Sequence, residues 1–472
     1  MFLQQHMNIW KKKVTVIKSS VEINKLKNQE NYVDLPMMLS AREKRVERQE
    51  KLLKECSCLV CFTMNIAGPY KISDCIMSAY AQGVAKIHRL LEQNGIKTVK
   101  AEQIVEKTGV EGYLLLNENP FKIKELMVQI EDNFELGRLF DIDVIKPDGE
   151  KVSRSDIGMD GRSCMVCGSE GSACARSRAH TVEQLQQHFI STICDYFNNM
   201  YADHLAQQAV KALMYEVSVT PKPGLVDRKD NGSHKDMNFY TFIDSSTALY
   251  DYFKKCALKA IQLSDKTPQQ LFGNLRYLGL EAENKMYQHT KGVNTHKGAI
   301  FSFGIVIAAT AYLSENGRDA KVEDVLDICA QMAQLSMADF ENDKAHQSFG
   351  KKIFREKQVT GVRGQAAAGY PAVKAVFPLF KELMLKGEGV DASGSKTLLK
   401  LISQVQDTNI IKRSDIETLK TMQGKAEEIL KGQDIEKQLE QLNDEFIKLN
   451  ISPGGCADLL AMCFLLYFIC EL

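Results

Sequence analysis

The sequence predicts two domains of different class: an α+β domain first, then a mostly all-α domain. Three observations lead there. At 472 residues the chain is too long for one hydrophobic core, and length alone suggests two or three domains. In the first part, short apolar runs bounded by turn residues alternate with helical periods. From about Thr181 onward most windows have helical period and β-like runs are few.

Taken in order, residues 1–33 are polar, lysine-rich and without period, and read as a loose extension. Ser40 to Leu53 carries dense opposite charges at helical spacing. Cys58-Leu-Val-Cys-Phe-Thr-Met64, closed by Asn65 and the turn at Gly68-Pro69, reads as a strand. Tyr80 to Asn94 reads as a helix, Gly112 to Leu116 as a strand and Phe121 to Asp132 as an amphipathic helix. Leu139-Phe-Asp-Ile-Asp-Val-Ile145 alternates cleanly and ends at the turn Pro147-Asp-Gly149. Helical windows of the second part include 182–214, 326–340, 372–385 and 416–430. The domains are placed at 34–195 and 196–472, with the boundary on a helix.

Lys+Arg and Asp+Glu are both 60, so the net charge is zero. That argues against a protein that coats nucleic acid or an anionic membrane, and neither partner is expected. The 13 cysteines are odd in number and scattered, and the polar, basic start has no apolar signal core. Both point to a reducing compartment and a cytoplasmic location. The longest apolar run, Leu459 to Cys470, is too short to span a bilayer and reads as a buried C-terminal helix.

In the first domain, Asp141 and Asp143 lie two apart on an expected strand, which points both carboxylates to one face. Such a pair suits Mg²⁺ together with substrate phosphates, the arrangement a nucleotidyl-type transfer needs. The competing reading is a solvated strand face. Asn65-Ile-Ala-Gly-Pro-Tyr-Lys71 offers glycine, backbone amides and Lys71 to a phosphate. Arg42, Arg45 and Arg48 share one helix face, either for phosphate or to pair with Glu43, Glu47 and Glu50. Arg154 and Arg162 follow the paired aspartates. Cys164, Cys167, Cys174 and His180 form C-x2-C-x6-C-x5-H, a set of zinc-ligand types. The irregular second pair weighs instead toward reduced cysteines packed round a loop that turns Arg176, Arg178 and His180 to substrate.

In the second domain, the polar loop Thr220-Pro-Lys-Pro-Gly-Leu-Val-Asp-Arg228 continues through Asn231-Gly-Ser-His-Lys-Asp-Met237. Its prolines deny the backbone a helix and Gly224 supplies a flexible position. Gly292-Val-Asn-Thr-His-Lys-Gly298 repeats the mixture of Asn, His and Lys between glycines. Two such loops read as two walls of a phosphate-binding pocket.

These residues carry a resemblance. Ala41 to Gln49, Asn65 to Lys71, Gly137-Arg138 through Val144, and Arg162-Ser-Cys-Met-Val-Cys167 with Cys174-Ala-Arg-Ser-Arg-Ala-His180 resemble the apo-citrate lyase phosphoribosyl-dephospho-CoA transferase family over about 34–190. The resemblance implies a nucleotidyltransferase-like domain. It would transfer a phosphoribosyl-dephospho-CoA group to a serine of the citrate lyase acyl carrier (gamma) subunit, with Arg138 in the site and pyrophosphate released. The attacking hydroxyl would come from the partner.

From about 205 onward the chain is similar to the triphosphoribosyl-dephospho-CoA synthase family. The similarity rests on the two loops, Phe242-Ile-Asp-Ser-Ser246, Gly361-Val-Arg-Gly-Gln-Ala-Ala-Ala-Gly369, Asp407-Thr-Asn409 and Leu449 to Leu460. It departs at Gln365, where the family pattern has glutamate. The implied reaction joins ATP and 3′-dephospho-CoA into 2′-(5″-triphosphoribosyl)-3′-dephospho-CoA and frees adenine. Its oxocarbenium-like transition state needs a carboxylate, proton-transfer groups and cations for the triphosphate. Asp227, Asp236 and Glu283 are the candidate carboxylates, and His234 and His296 the proton-transfer groups. Lys222, Lys297 and Arg363 are phosphate clamps, with Arg228 and Asn231 beside them. Asn294 and Thr295 orient hydroxyls, and Asp407 and Asn409 belong to the binding set. Asp458 caps a helix or joins the site. The alternatives are the same chemistry for a malonate decarboxylase carrier protein, or a nucleotide-binding regulatory protein without turnover.

Overall fold

The computed structural model describes residues 29–341 and 359–471, so residues 1–28 of the expected extension lie outside it. The chain divides into two units, Met1–Asn199 and Met200–Leu472. The division falls inside one helix, Val182–Ser218.

The first unit runs α1 (Leu35–Leu52), β1 (Cys58–Met64), α2 (Asp74–Gln93), β2 (Thr98–Glu106), β3 (Gly109–Leu116), α3 (Pro120–Asn133), β4 (Phe140–Ile145), α4 (Gly171–Ser177) and the start of α5 (Val182–Ser218). The four strands form one sheet in the order β2-β3-β1-β4, each pair antiparallel. β1 is central and apolar on both faces because both faces are covered. One face packs Val60, Phe62, Phe140 and Ile142 against Ile76, Tyr80 and Ile87 of α2 and Ile123 and Met127 of α3. Gly83 lets α2 approach, since a methyl there would collide with the Phe62 ring. The other face buries Leu59, Cys61, Tyr113 and Leu115 with Leu52 of α1.

Local signals set the helix starts. Asp34 caps α1 by accepting from Met37 N at 2.8 Å, five residues before the helix expected from sequence. Ser73 caps α2, and Asn119 caps α3 ahead of Pro120. β2 was not anticipated. It is an edge strand carrying Lys100, Glu102 and Gln103, and with no residue fully buried its apolar signal is weak.

The second unit continues α5 and adds α6 (Phe239–Ala248), α7 (Tyr250–Gln262), α8 (Pro268–His289), α9 (Lys297–Glu315), α10 (Val322–Glu341) and α11 (Gly361–Ala367). Then follow α12 (Pro371–Leu385), α13 (Val390–Gln404), α14 (Thr408–Arg413), α15 (Ile416–Lys431), α16 (Ile435–Lys448) and α17 (Gly454–Leu466). Among its described residues there is no strand. α9 is apolar all round and sits among α7, α8, α10 and α17, which is where such a helix must go. α17 packs on α9, α12, α13 and α14. By length and composition α9 and the helical stretch Gly454–Glu471, which begins with α17, could cross a membrane, yet 78% and 61% of their apolar windows are buried. The C-terminal run is thus a core helix, as its sequence suggested.

Candidate active sites

In the first unit, strand register assembles the polar groups. Thr63 of β1 pairs with Glu111 of β3 on one side and Asp141 of β4 on the other. Cys61 likewise pairs with Tyr113 and Asp143. Directly opposed residues share a face, so Glu111, Asp141 and Asp143 project from one side of the sheet. That is the side α1 covers. Arg45 Nε and Arg48 donate to the two oxygens of Glu111 at 2.8 Å, and Tyr113 donates to Glu111 at 2.5 Å. Glu111 is buried, so this fork of hydrogen bonds locks α1 onto the sheet. Arg45 thus pairs with Glu111 across to the sheet rather than with Glu43, Glu47 or Glu50 of its own helix.

Asp141 and Asp143 remain available at the edge of the sheet. Asp143 accepts from Lys151 Nζ at 2.5 Å. Desolvation and the like charge of Asp143 push the Asp141 carboxyl up. Because Asp141 is exposed by area, its neighbour's charge is the firmer of these causes. A site that raises a carboxyl by like charge is one a cation relieves, so the pair fits Mg²⁺. Nearby, Lys71 donates to the Ile66 carbonyl, and burial with the charge of Arg42 lowers its ammonium from the ordinary value.

Behind β4 lies a cavity of about 920 Å³ lined by Asn65, Arg138, Arg162, Arg178, Cys164 and His180, among others. Arg162 is fixed by donating to the Phe140 and Gly137 carbonyls and by buried Glu131. Burial and the charges of Arg162 and Arg154 lower the Arg138 guanidinium, so three arginines compete for an anion there. Arg176 is exposed and donates to Ser172 of the cavity lining, but does not itself line the cavity.

In the second unit the loop after α5 turns inward. Lys222 is 2% exposed and its Nζ meets Glu216 Oε1 of α5 at 2.5 Å, with Glu216 5% exposed. Burial raises the Glu216 carboxyl, and the Lys222 charge opposes that. Asp227 accepts from the backbone N–H of Lys222, Lys229 and Asp230, at 3.1, 2.6 and 3.1 Å. Its carboxylate builds the loop through these backbone bonds. Arg228 pairs with Asp391, while Asn231 and Asp236 are exposed. His234 bridges Ser452 Oγ at 2.9 Å and Arg413 at 3.3 Å; burial and Arg413 hold it down to about 4. It ties the loop to α14 and to the segment before α17.

The second loop places His296 at the N-terminus of α9, 3% exposed. Its Nδ1 lies 2.7 Å from Ser245 Oγ of α6, and Thr295 donates to the same oxygen at 2.7 Å. The serine proton is then free for Nδ1, which leaves Nε2 as the N–H. That Nε2 is buried and has no partner among the described residues. Burial and the Lys222 charge bring His296 down to about 3, so it is neutral at pH 7. Asn294 Oδ1 accepts from Lys297 N, and Lys297 Nζ pairs with Glu283 at 2.7 Å. Glu283 and Arg363 line a small cleft of about 150 Å³ over α8 and α9.

A second cavity of about 310 Å³ opens between α11, α13, α14 and α17, lined by Thr360, Gln365, Gln406, Asp407, Gly455 and Asp458, among others. Asp407 caps α14 through Asn409 N at 2.8 Å and also accepts from Cys456 N at 2.9 Å, fixing the start of α17. That is a positioning role; Asn409 is exposed beside Gly454. Asp458 is accessible only in part. Burial and the like charges of Glu216 and Asp407 raise its carboxyl well above the ordinary range, against the Ala299 N–H. It packs directly on Gly298, where a methyl would strike the carboxylate. Gln365 Oε1 accepts from Ala372 N at 3.3 Å, so it holds the start of α12 where the family pattern expects an acid.

The structure therefore gathers Lys222 and His296 with Glu216 and Asp458, and leaves Asp236, Arg228 and Asn231 at the surface. Sequence reasoning omitted Glu216, whose signal was a carboxylate at the end of an apolar helix six residues before Lys222.

Comparison with known proteins follows the same division. A family model for apo-citrate lyase phosphoribosyl-dephospho-CoA transferase matches residues 33–196, and one for ATP:dephospho-CoA triphosphoribosyl transferase matches residues 202–472. Protein CitXG of Haemophilus influenzae is 33% identical over 447 residues, spanning 91% of this chain and 95% of the relative. The chain belongs to the CitXG family. Protein CitXG of Leuconostoc mesenteroides subsp. cremoris is 30% identical over 451 residues, 90% of this chain and 95% of its own. A Streptococcus mutans protein named probable 2-(5″-triphosphoribosyl)-3′-dephosphocoenzyme-A synthase is 39% identical over 282 residues, 56% of this chain and 95% of its own. Like its family, the chain is a bifunctional transferase of citrate lyase prosthetic-group synthesis and attachment.

Proposed function

We propose that the second unit joins ATP to 3′-dephospho-CoA with loss of adenine, and that the first transfers the product's phosphoribosyl-dephospho-CoA group to a serine of the citrate lyase acyl carrier subunit. The observation that carries this is Asp458, a partly buried carboxyl at the wall of a cavity of about 310 Å³ in the half that matches the triphosphoribosyl transferases, pushed up by burial and the like charges of Glu216 and Asp407. In the first step the 2′-hydroxyl oxygen of dephospho-CoA bonds to ribose C1′ of ATP as the bond from C1′ to adenine breaks. Asp458, whose carboxyl is pushed up, gives the departing base its proton, and the proton lost by the 2′-hydroxyl passes to solvent, from which Asp458 recovers its own. The N–H at His296 Nε2 is a donor for a substrate oxygen, and Lys222 supplies positive charge close by.

In the second step the carrier serine oxygen bonds to the phosphorus that carries the phosphoribosyl group, and pyrophosphate leaves. The first unit then acts as a nucleotidyltransferase. Arg138, Arg162 and Arg178 receive the phosphates, and Asp141 and Asp143 would hold Mg²⁺, whose chemistry is neutralisation of phosphate charge. The thirteen free thiols support a cytoplasmic setting.

The test is adenine release. Purified chain, ATP, Mg²⁺ and 3′-dephospho-CoA should yield free adenine, with coenzyme A inert because its 3′-phosphate distinguishes the two. Label in the ATP ribose should then reach the added carrier subunit. Intact ATP after prolonged incubation would sink the first assignment, and adenine release without carrier labelling would sink the second.

A further inference from the structure

We propose that Cys164, Cys167, Cys174 and His180 hold a structural zinc ion that fixes the arginine-bearing wall of the first unit's cavity. Their ligand atoms all lie within 4.8 Å of one another. Cys164 and Cys174 sulfurs are 3.5 Å apart, and Cys167 and Cys174 sulfurs 4.0 Å. Zn–S bonds of about 2.3 Å at tetrahedral angles set sulfur–sulfur edges of about 3.8 Å, so these atoms already mark the corners of such a site. Spacing along the chain argued against zinc because the second pair is irregular. Folding removes that objection: α4 carries Cys174 back to the first pair, and a left-handed turn at Arg178, φ 49°, returns His180.

Two further observations point to a ligand. His180 Nε2 is buried and has no hydrogen-bond partner of ordinary geometry among the described residues, while the imidazole interacts with the Cys167 and Cys164 sulfurs, as a co-ligand would. The Cys164–Cys167 segment is a tight turn, closed by Gly168 N to the Cys164 carbonyl at 3.0 Å with Gly168 at φ 73°. It aims the Val166 N–H at Cys164 Sγ, 3.4 Å away, and backbone donors on sulfur are the outer-sphere support thiolate ligands use. A single disulfide would use two sulfurs and leave the third sulfur and the imidazole without a reason to converge. Three thiolates and a neutral imidazole round Zn²⁺ leave one net negative charge, which Arg138, Arg162 and Arg178 in the same cavity wall balance. All four positions are filled by protein, so the ion is a closed, structural one.

The experiment is metal analysis of the full chain purified under reducing conditions without chelator. One zinc per chain is expected, released in step with thiol modification by a mercurial. Replacement by Co²⁺ should give the intense visible bands of tetrahedral sulfur ligation, and Cys174→Ser should abolish them. Because that variant could also fail to fold, the release and cobalt measurements on the unaltered chain decide the matter. A folded chain that carries no zinc and takes up neither zinc nor cobalt overturns the proposal, as does a Cys164–Cys174 disulfide in place of bound metal.

Discussion

Asp141 and Asp143 stand on an edge strand of the sheet, in a unit whose arginine-lined cavity measures about 920 Å³, whereas Glu216, Lys222 and His296 are shut among helices, in a unit where the cavity lined by Asp458 is a third that size, about 310 Å³. The two chemistries explain the contrast. A site proposed to modify a serine on another protein must admit a macromolecule, and Asp141 is exposed there. A site that displaces adenine through a cation-like sugar must keep water off the anomeric carbon, or it becomes an ATP-wasting hydrolase. Its charges are therefore buried, where they need partners. Open charge is tuned by neighbours and buried charge by exclusion of solvent.

Four measurements break or sharpen this comparison. The largest effect is expected for Lys222→Met. It strands the buried Glu216, costs about 3–5 kcal/mol of stability and abolishes adenine release, while loading of carrier from supplied intermediate continues. Pairing it with Glu216→Leu should recover most of the stability by denaturant melt but none of the activity; no recovery would show that the pair is not coupled as described.

Asp458→Asn removes the acid at near-constant shape, and adenine release should fall by about 100-fold or more with ATP binding retained. Unchanged turnover would assign the proton to another group. On the open side, Asp141→Asn should lower carrier loading by about 100-fold and leave adenine release and the melting temperature alone. A fall in both activities would contradict the separation of the two sites.

The smallest effect is on pH. His234 is held down to about 4 against an ordinary 6.5. The unfolded chain binds this proton as pH falls through 6.5 and the folded chain does not until about 4. Stability present above that window is lost progressively across it, and His296 acts in the same direction. The raised carboxyls of Glu216 and Asp458 oppose this, favouring the folded state as pH falls. His234→Gln should flatten the fall of the unfolding midpoint between those two pH values; an unaltered slope would mean His234 is not the residue being charged.

Much of the fold was legible because its signals are local. β1 and β4 carry their apolar runs in sequence, and the helical windows of the second unit match α10, α12 and α15 within a few residues. β2 was missed because an edge strand with polar residues has no one-sided pattern to read. For the sites, Asp141, Asp143, Lys222 and His296 stood out as polar residues in unusual settings. Glu216 and the true partners of Arg45, Asp227 and Asp407 did not, because they are fixed by approaches across dozens of residues or by backbone amides that every residue possesses. The convergence of Cys174 and His180 on the first cysteine pair likewise depends on a helix and one left-handed residue.

Gly298 sets an evolutionary distance. Any side chain there meets the carboxylate of Asp458, and a glycine codon is one base from an alanine codon. On the proposed role of Asp458, one point mutation is expected to separate a bifunctional chain from one that only loads carriers with intermediate made elsewhere. Among random single-base variants selected for lost adenine release with intact loading, position 298 should recur.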